Sequence, residues 1–295
     1  EFLNVLIGVL ILGLVLWYPI RNHKRDLKIR DGFLIVVMFW TVLGFVGALP
    51  FYLLEQLGPL SLTDAIFESF SGLTTTGATV ITGLDTLPHA ILWYRQQLQW
   101  MGGMGIIVLA VAILPMLGVG GMQLYRAETP GPIKDSKIAP RISETAKALW
   151  YIYAGLTLAC AVAYWWAGMG WFDAFSHSFS TVAIGGFSTH DASIGYFDSV
   201  AIESVAIFFM FLSGINFALH FSAFRQLNGF AYFRDPEFKA YLGILVAGIF
   251  VATLYLYYQQ VYPTLEASIR YGLFQTVSMA TTTGYANADF SAWPA

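Results

Sequence analysis

The sequence predicts an all-α integral membrane protein assembled from repeated helix–short helix–glycine loop–helix units. Three observations predict it. The composition is 57% hydrophobic and only 11% charged, against roughly 25% charged residues in an ordinary soluble domain. Six runs carry no Asp, Glu, Lys or Arg: Phe2–Ile20, Phe33–Leu54, Gln96–Tyr125, Ala148–Phe172, Ser204–Phe224 and Ala240–Leu265. Between these runs a short motif ending in glycine recurs three times, around Gly77, Gly186 and Gly284.

Each run is near or above the ~18–20 residues that a helix needs to cross the hydrocarbon layer, so each is a candidate span. The basic residues orient them. Five lie in Arg21–Arg30, five in Arg126–Lys147 and three in Arg225–Lys239, with Arg95 and Arg270 elsewhere. The excess of Lys and Arg on cytoplasmic loops makes these three segments cytoplasmic. Gln56–Tyr94 and Trp171–Ser199 then lie on the outer side. They are too long for tight turns and too short to span twice, so they read as re-entrant segments. The expected organisation is an N-terminal helix and basic loop (1–30), a first unit (31–125), a cytoplasmic linker (126–147), a second unit (148–224), a second linker (225–239) and a third unit (240–295). The chain begins at Glu1 without Met, so a native start is expected upstream. Cys160, the one cysteine, sits within a span and reads as a small packing residue. A net charge of −3 argues for no nucleic-acid partner.

The re-entrant pieces align with one another. Asp64-Ala-Ile-Phe-Glu-Ser-Phe-Ser-Gly-Leu-Thr-Thr-Thr-Gly77 matches Asp173-Ala-Phe-Ser-His-Ser-Phe-Ser-Thr-Val-Ala-Ile-Gly-Gly186, and Phe274-Gln-Thr-Val-Ser-Met-Ala-Thr-Thr-Thr-Gly284 ends alike. Non-helical backbone at membrane depth survives only where it is buried in protein or lines an aqueous cavity. A short helix entering from outside directs its partly negative C-terminus toward the membrane centre. Carbonyls of the loop that follows replace the water shell of a small monovalent cation, and glycine lets that loop take the necessary backbone angles. The loops are therefore read as a selectivity filter; the competing account is a small-residue packing patch.

Gly72-Leu-Thr-Thr-Thr-Gly-Ala-Thr79, the stretch from Gln99-Trp-Met-Gly-Gly-Met-Gly105 to Gly118, and Ser180-Thr-Val-Ala-Ile-Gly-Gly-Phe-Ser-Thr-His190 resemble the TrkH family of bacterial Trk potassium uptake systems. The wider superfamily holds potassium and sodium transporters of bacteria, fungi and plants. The resemblance implies four helix–pore helix–filter–helix units with pseudo-four-fold symmetry around one pore, as in potassium channels. It also implies a multi-pass protein of the bacterial inner membrane, a homodimer, and a cytoplasmic nucleotide-binding regulatory subunit, TrkA. On that pattern the third unit's inner helix, the fourth unit and a helix before Phe2 are absent from this chain. The ion ligands carried over are Thr75, Thr76 and Gly77; Ile184, Gly185 and Gly186; and Thr282, Thr283 and Gly284. Gly185 and Gly186 compete for the filter position; Gly186 precedes an aromatic residue, as Gly284 precedes Tyr285. A glycine at the first filter goes with potassium in this family. Potassium is thus the expected ion, and no organic cofactor is expected in this chain, a nucleotide belonging to the partner.

Other residues carry alternatives. Ten acids fall on the outer side, among them Asp64, Glu68, Asp85, Asp173, Asp191 and Glu203. They concentrate cations at the mouth, or, for Asp64 and Asp173, cap helices. Arg95 and Arg270 read as snorkelling anchors or ion-pair partners ahead of an anion site. Asn216 and His220 read as interhelical hydrogen-bond partners ahead of cavity-lining groups. His177 reads as a backbone partner ahead of a pH sensor. Gly102, Gly103 and Gly105 follow no strand, so close packing or a bend is preferred to a nucleotide loop. No serine-protease elbow or His-Glu-x-x-His run supports an intramembrane enzyme, so the protein is expected not to be an enzyme. The expected function is potassium uptake down the electrochemical gradient; the alternative is a proton- or sodium-coupled secondary transporter.

Overall fold

The computed structural model describes residues 2–22, 29–54, 60–105, 142–226 and 228–294, and every element among them is helical. The long helices are α1 (Phe2–Trp17), α2 (Ile29–Leu53), α3 (Leu62–Leu73), α4 (His89–Gly103), α5 (Ile142–Trp166), α6 (Trp171–Val182) and α7 (Val200–Ser213). They are followed by α8 (Phe217–Gln226), the single-turn α9 (Phe230–Arg234), α10 (Pro236–Tyr258) and α11 (Leu265–Ala280). Phe2–Ile20, Leu34–Leu53, Lys147–Trp166 and Pro236–Tyr258 are long and apolar enough to cross a membrane. The last two-thirds of the Gln96–Tyr125 run and most of the Arg126–Lys147 segment lie outside the described residues.

Four of the six charge-free runs coincide with these helices, though not always at their ends. α5 stops at Trp166, and Phe172 already belongs to α6; between them Gly168 turns the chain at φ +101. The Ser204–Phe224 run is broken into α7 and α8 at Gly214–Asn216. Absence of charge records only what lipid and protein interior both tolerate, and a turn of Gly and apolar residues satisfies that as well as a helix does.

Each repeat has one packing scheme. α2 lies along α3, α5 along α6 and α10 along α11, the three most extensive helix pairings. α4 then sits between α3 and α6, and α7 between α6 and α11. The helix that closes one unit is therefore also a wall of the next. One apolar cluster, including Phe51, Ile91 and Leu98, fills the first unit. A second, including Tyr164, Met210, Phe274 and Tyr285, joins the second unit to the third.

Local chemistry starts the helices where they start. Ser61 and Asp64 form a reciprocal capping box on α3. Thr264 caps α11 through the Ala267 amide, and Asp235 with Pro236 opens α10. Asp64 is thus a capping residue. Asp173 is not, because Gly170 occupies the N-cap of α6.

Candidate functional site: three glycine loops

α3, α6 and α11 end in the same way. The amides of Thr75, Ile184 and Thr282 donate to carbonyls three residues back at 3.0, 3.1 and 3.0 Å. Those of Thr76, Gly185 and Thr283 donate five residues back, to Ser71, Ser180 and Ser278, at 2.9, 2.9 and 2.8 Å. This is a Schellman ending, in which the first of the two residues is left-handed and is usually glycine. Here it is Thr75 (φ +54), Ile184 (φ +49) and Thr282 (φ +62). Left-handed β-branched residues are outliers, and strain of ~1–3 kcal/mol apiece persists where surrounding structure enforces it, typically at functional sites.

Two residues further on stand Gly77, Gly186 and Gly284, with φ of +79, +82 and +80. This equivalence resolves the ambiguity in the second loop. Gly186 is the counterpart of Gly77 and Gly284, while Gly185 has no positive φ and matches Thr76 and Thr283. The loops also touch in order. A methyl group on Gly77 would overlap the Gly185 carbonyl oxygen, and one on Gly186 would overlap that of Thr283. Gly284 has no such neighbour among the described residues.

The loop amides are spent on the short helices, and most of the carbonyls are not spent at all. Among the described residues no hydrogen bond ends on the carbonyl oxygens of Thr75, Thr76, Gly77, Ile184, Gly186, Thr282, Thr283 or Gly284; Gly185 accepts one from Gln99. Thr76, Thr282 and Gly284 are exposed and Thr75, Gly77, Ile184 and Gly186 half-buried, so most of these carbonyls are accessible to a ligand or to solvent.

Buried polar groups hold the loops. Ser71 donates to the Ala78 carbonyl at 2.5 Å and Ser278 to that of Tyr285 at 2.7 Å, one residue beyond the glycine in each case. Glu68 and Arg95, both 0% exposed, pair at 2.8 Å. Arg95 also donates to Thr79 Oγ1 at 2.9 Å and to the Ser188 carbonyl at 3.0 Å, which ties α4 to the exits of the first and second loops. Glu203 on α7 accepts from Arg270 on α11 at 2.7 Å and from Asn287, beyond the third loop, at 3.0 Å. A charged residue on each closing helix therefore clamps the following unit.

Arg95 and Arg270 are ion-pair partners, with Asp198 adding a second carboxylate at Arg270. Glu68 and Glu203 are sequestered in those pairs and are not free acids at the mouth. The His177 ring bonds the Asp173 carbonyl and Ser188 Oγ, both at 2.9 Å. Since the carbonyl can only accept, Nδ1 carries the proton and Ser188 donates to Nε2. His220 bonds Tyr232 and the Leu212 carbonyl, and Asn216 reaches Glu237. These are the interhelical bonds expected of them. Gly102 lies against the Leu73 carbonyl and Gly103 against Ala183, so close packing accounts for both.

On the outer side the loops after the first and second glycines meet. His190 Nδ1 contacts Asp85 Oδ1 at 2.5 Å, its Nε2 lies 3.5 Å from Asp173 Oδ1, and its ring stacks on Tyr196. Burial draws His190 downward, but the Asp173 and Asp85 carboxylates outweigh it and hold the ring above its usual pKa. The same contact with His190 holds Asp85 below the usual carboxylate range.

Sequence reasoning missed the serines, Gln99 and the pairing of Glu68 with Arg95. A signal for the serines was present: one stands six residues before each loop glycine. The pairings join residues 27 to 93 positions apart, and no local pattern announces them.

The model of the TrkH family, described as cation transport protein, matches residues 1–295. The Trk system potassium uptake protein TrkH of Escherichia coli K12 is 59% identical over 293 residues, which cover 99% of this chain and 60% of that protein. TrkG of the same organism, also named a Trk system potassium uptake protein, is 44% identical over 278 residues, 94% of this chain and 57% of its own. The crystal structure of the potassium transporter TrkH from Vibrio parahaemolyticus superposes with a TM-score of 0.85 at 55% identity, covering 99% of this chain and 59% of that one. The chain thus spans about 60% of the length of the curated relatives it matches.

Proposed function

The chain belongs to the TrkH family of cation transport proteins, and from that membership we propose that it forms part of a potassium uptake pathway across the bacterial inner membrane. Potassium passes down its electrochemical gradient through a channel-like pore, with the carbonyls of Thr75 to Gly77, Ile184 to Gly186 and Thr282 to Gly284 replacing its water. The observation that carries this reading is the triple recurrence of a left-handed residue, one residue, then a left-handed glycine, each loop abutting the next and most of its carbonyls left without donors. The short-helix C-termini behind those carbonyls add favourable potential for a cation. A homodimeric assembly and gating by a cytoplasmic nucleotide-binding subunit, named TrkA by the family resemblance, complete the proposal.

Coupled transport is the second reading. One observation favours it: the break between α7 and α8, since transporters bind ions at interrupted helices. The test is flux through the full-length protein in liposomes, with potassium compared against sodium, for wild type and Gly77→Ser. Gradient-driven flux that prefers potassium, with the preference weakened by the substitution, is the expected result. Flux that requires a proton gradient, or a preference indifferent to Gly77, moves the assignment to coupled transport.

A further inference from the structure

The second loop departs from the first and third in one respect that the repeat does not explain. Behind the first loop the hydroxyls of Thr74 and Thr76 bond at 2.8 Å, and behind the third those of Thr281 and Thr283 do the same at 2.8 Å. The corresponding residues in the second loop are Ala183 and Gly185, which have no hydroxyl. Backbone conformation does not demand glycine at 185, because its φ is not positive.

Gln99 supplies the reason. It lies on α4, in the preceding unit, with no solvent exposure. A Cβ on Gly185 would stand 2.5 Å from Gln99 Cδ and 2.8 Å from Nε2. The amide thus occupies the space that a threonine side chain would take. Its hydrogen bonds fix its orientation. The Phe187 amide and Ser180 Oγ donate to Oε1 at 3.1 and 2.6 Å, so that atom is the oxygen; Nε2 donates to the Gly185 carbonyl at 2.6 Å. Ser180 is the counterpart of Ser71 and Ser278, which donate to the carbonyl beyond the glycine. In the second loop it has been redirected to Gln99.

We propose that Gln99 is a positioning residue for ion preference: its amide replaces the threonine pair behind the second loop and holds the Gly185 carbonyl. This rests on the reading of the three loops as a filter. Gly185 O is equivalent to Thr76 O and Thr283 O, neither of which has a donor among the described residues. A donated hydrogen bond draws charge from the oxygen and restricts its motion. Selectivity follows the number and field strength of the coordinating carbonyls, and weaker, stiffer ligands favour the larger, more easily dehydrated ion. Removing the amide therefore strengthens the field at this position and shifts preference toward sodium.

The experiment is potassium-against-sodium flux in liposomes with full-length protein, for wild type, Gln99→Ala, Gly185→Thr and the two combined. Gln99→Ala is expected to lower the potassium-to-sodium ratio roughly two- to ten-fold, the range of one net hydrogen bond. Gly185→Thr alone, colliding with the amide, is expected to lose flux. The combined variant, in which Gln99 no longer fills the space beside residue 185, is expected to recover flux but to keep the lowered ratio of Gln99→Ala, because the threonine hydroxyls behind the first and third loops bond each other and not a loop carbonyl. A combined variant with no more flux than Gly185→Thr, or with wild-type discrimination, overturns the proposal, as does Gln99→Ala with wild-type discrimination. A Gly77→Ser control separates the two levels. If it alters selectivity while the Gln99 variants do not, only this assignment fails; if it too is silent, the filter reading fails with it.

Discussion

Arg95→Met removes the positive charge from a fully buried ion pair, and its cost follows from the bonds it leaves behind. Glu68 Oε1 and Oε2 accept from Arg95 Nε at 2.8 Å, from Thr79 Oγ1 at 2.9 and 3.0 Å and from the Val80 amide at 3.1 Å. The substitution spares the two neutral donors and deletes the counter-charge, while the Ser188 carbonyl loses its donor. Breaking one side of a fully buried ion pair costs ~3–5 kcal/mol, because the surviving charge stays buried without compensation. Glu68→Gln should cost a similar amount by stranding the guanidinium. The double variant buries no charge, so its cost should fall short of the sum of the singles by ~2 kcal/mol or more. Arg95→Lys should be intermediate, since one ammonium cannot serve Glu68, Thr79 and Ser188 together. Thermal unfolding of the full-length protein in detergent, read as the fraction surviving size-exclusion chromatography after heating, measures all four. Strictly additive costs, or singles that melt with wild type, would refute the reasoning that the pair clamps the first two units.

The loop glycines should rank by what they touch. Gly77→Ala and Gly186→Ala meet both a neighbouring carbonyl and a positive φ and should lower liposome flux and weaken its potassium preference, as expected for Gly77→Ser. Gly284→Ala meets a φ strain of ~1–2 kcal/mol and no neighbouring atom among the described residues, while Gly155→Ala, in open space within α5, should leave flux unchanged. For pH, the folded His190 pKa is raised, so its contribution is complete below the unfolded value of ~6.5 and is lost as pH rises through the folded value. Asp85 is depressed, so its contribution holds above ~4 and is lost only as pH falls through its folded value. With Asp173, Asp191 and His177 also near the ring, melting temperature should fall as pH rises above about 6.5, and His190→Gln should flatten that slope. Cys160 is fully buried; peptide mapping should show no maleimide adduct at Cys160 in the folded protein and an adduct there after unfolding.

Much of this protein is legible in its sequence, because lipid and chain topology impose patterns that act locally. Lipid excludes charge, so spans stand out as charge-free runs, and retention of basic residues in cytoplasmic loops orients them. A duplicated unit copies its residues in register, so Asp-Ala-x-x-x-Ser-Phe-Ser and the three loop glycines align without coordinates. Family membership followed from those same motifs. Spatial questions were closed to it. Two adjacent glycines at 185 and 186 differ only in φ and in what approaches them, and that is decided by the neighbouring loop and by Gln99. Helix ends at Trp166 and Ser213 depend on turns whose residues are as apolar as the helices they interrupt. Buried pairs such as Glu68 with Arg95 and Glu203 with Arg270 form between residues far apart in the chain, and a charge in sequence looks the same whether it faces water or a partner. Charge distribution and the internal repeat pointed to the units; the packing of each closing helix against the following unit decided which polar groups hold the loops, because desolvation allows a buried charge or amide only where the fold delivers its partner.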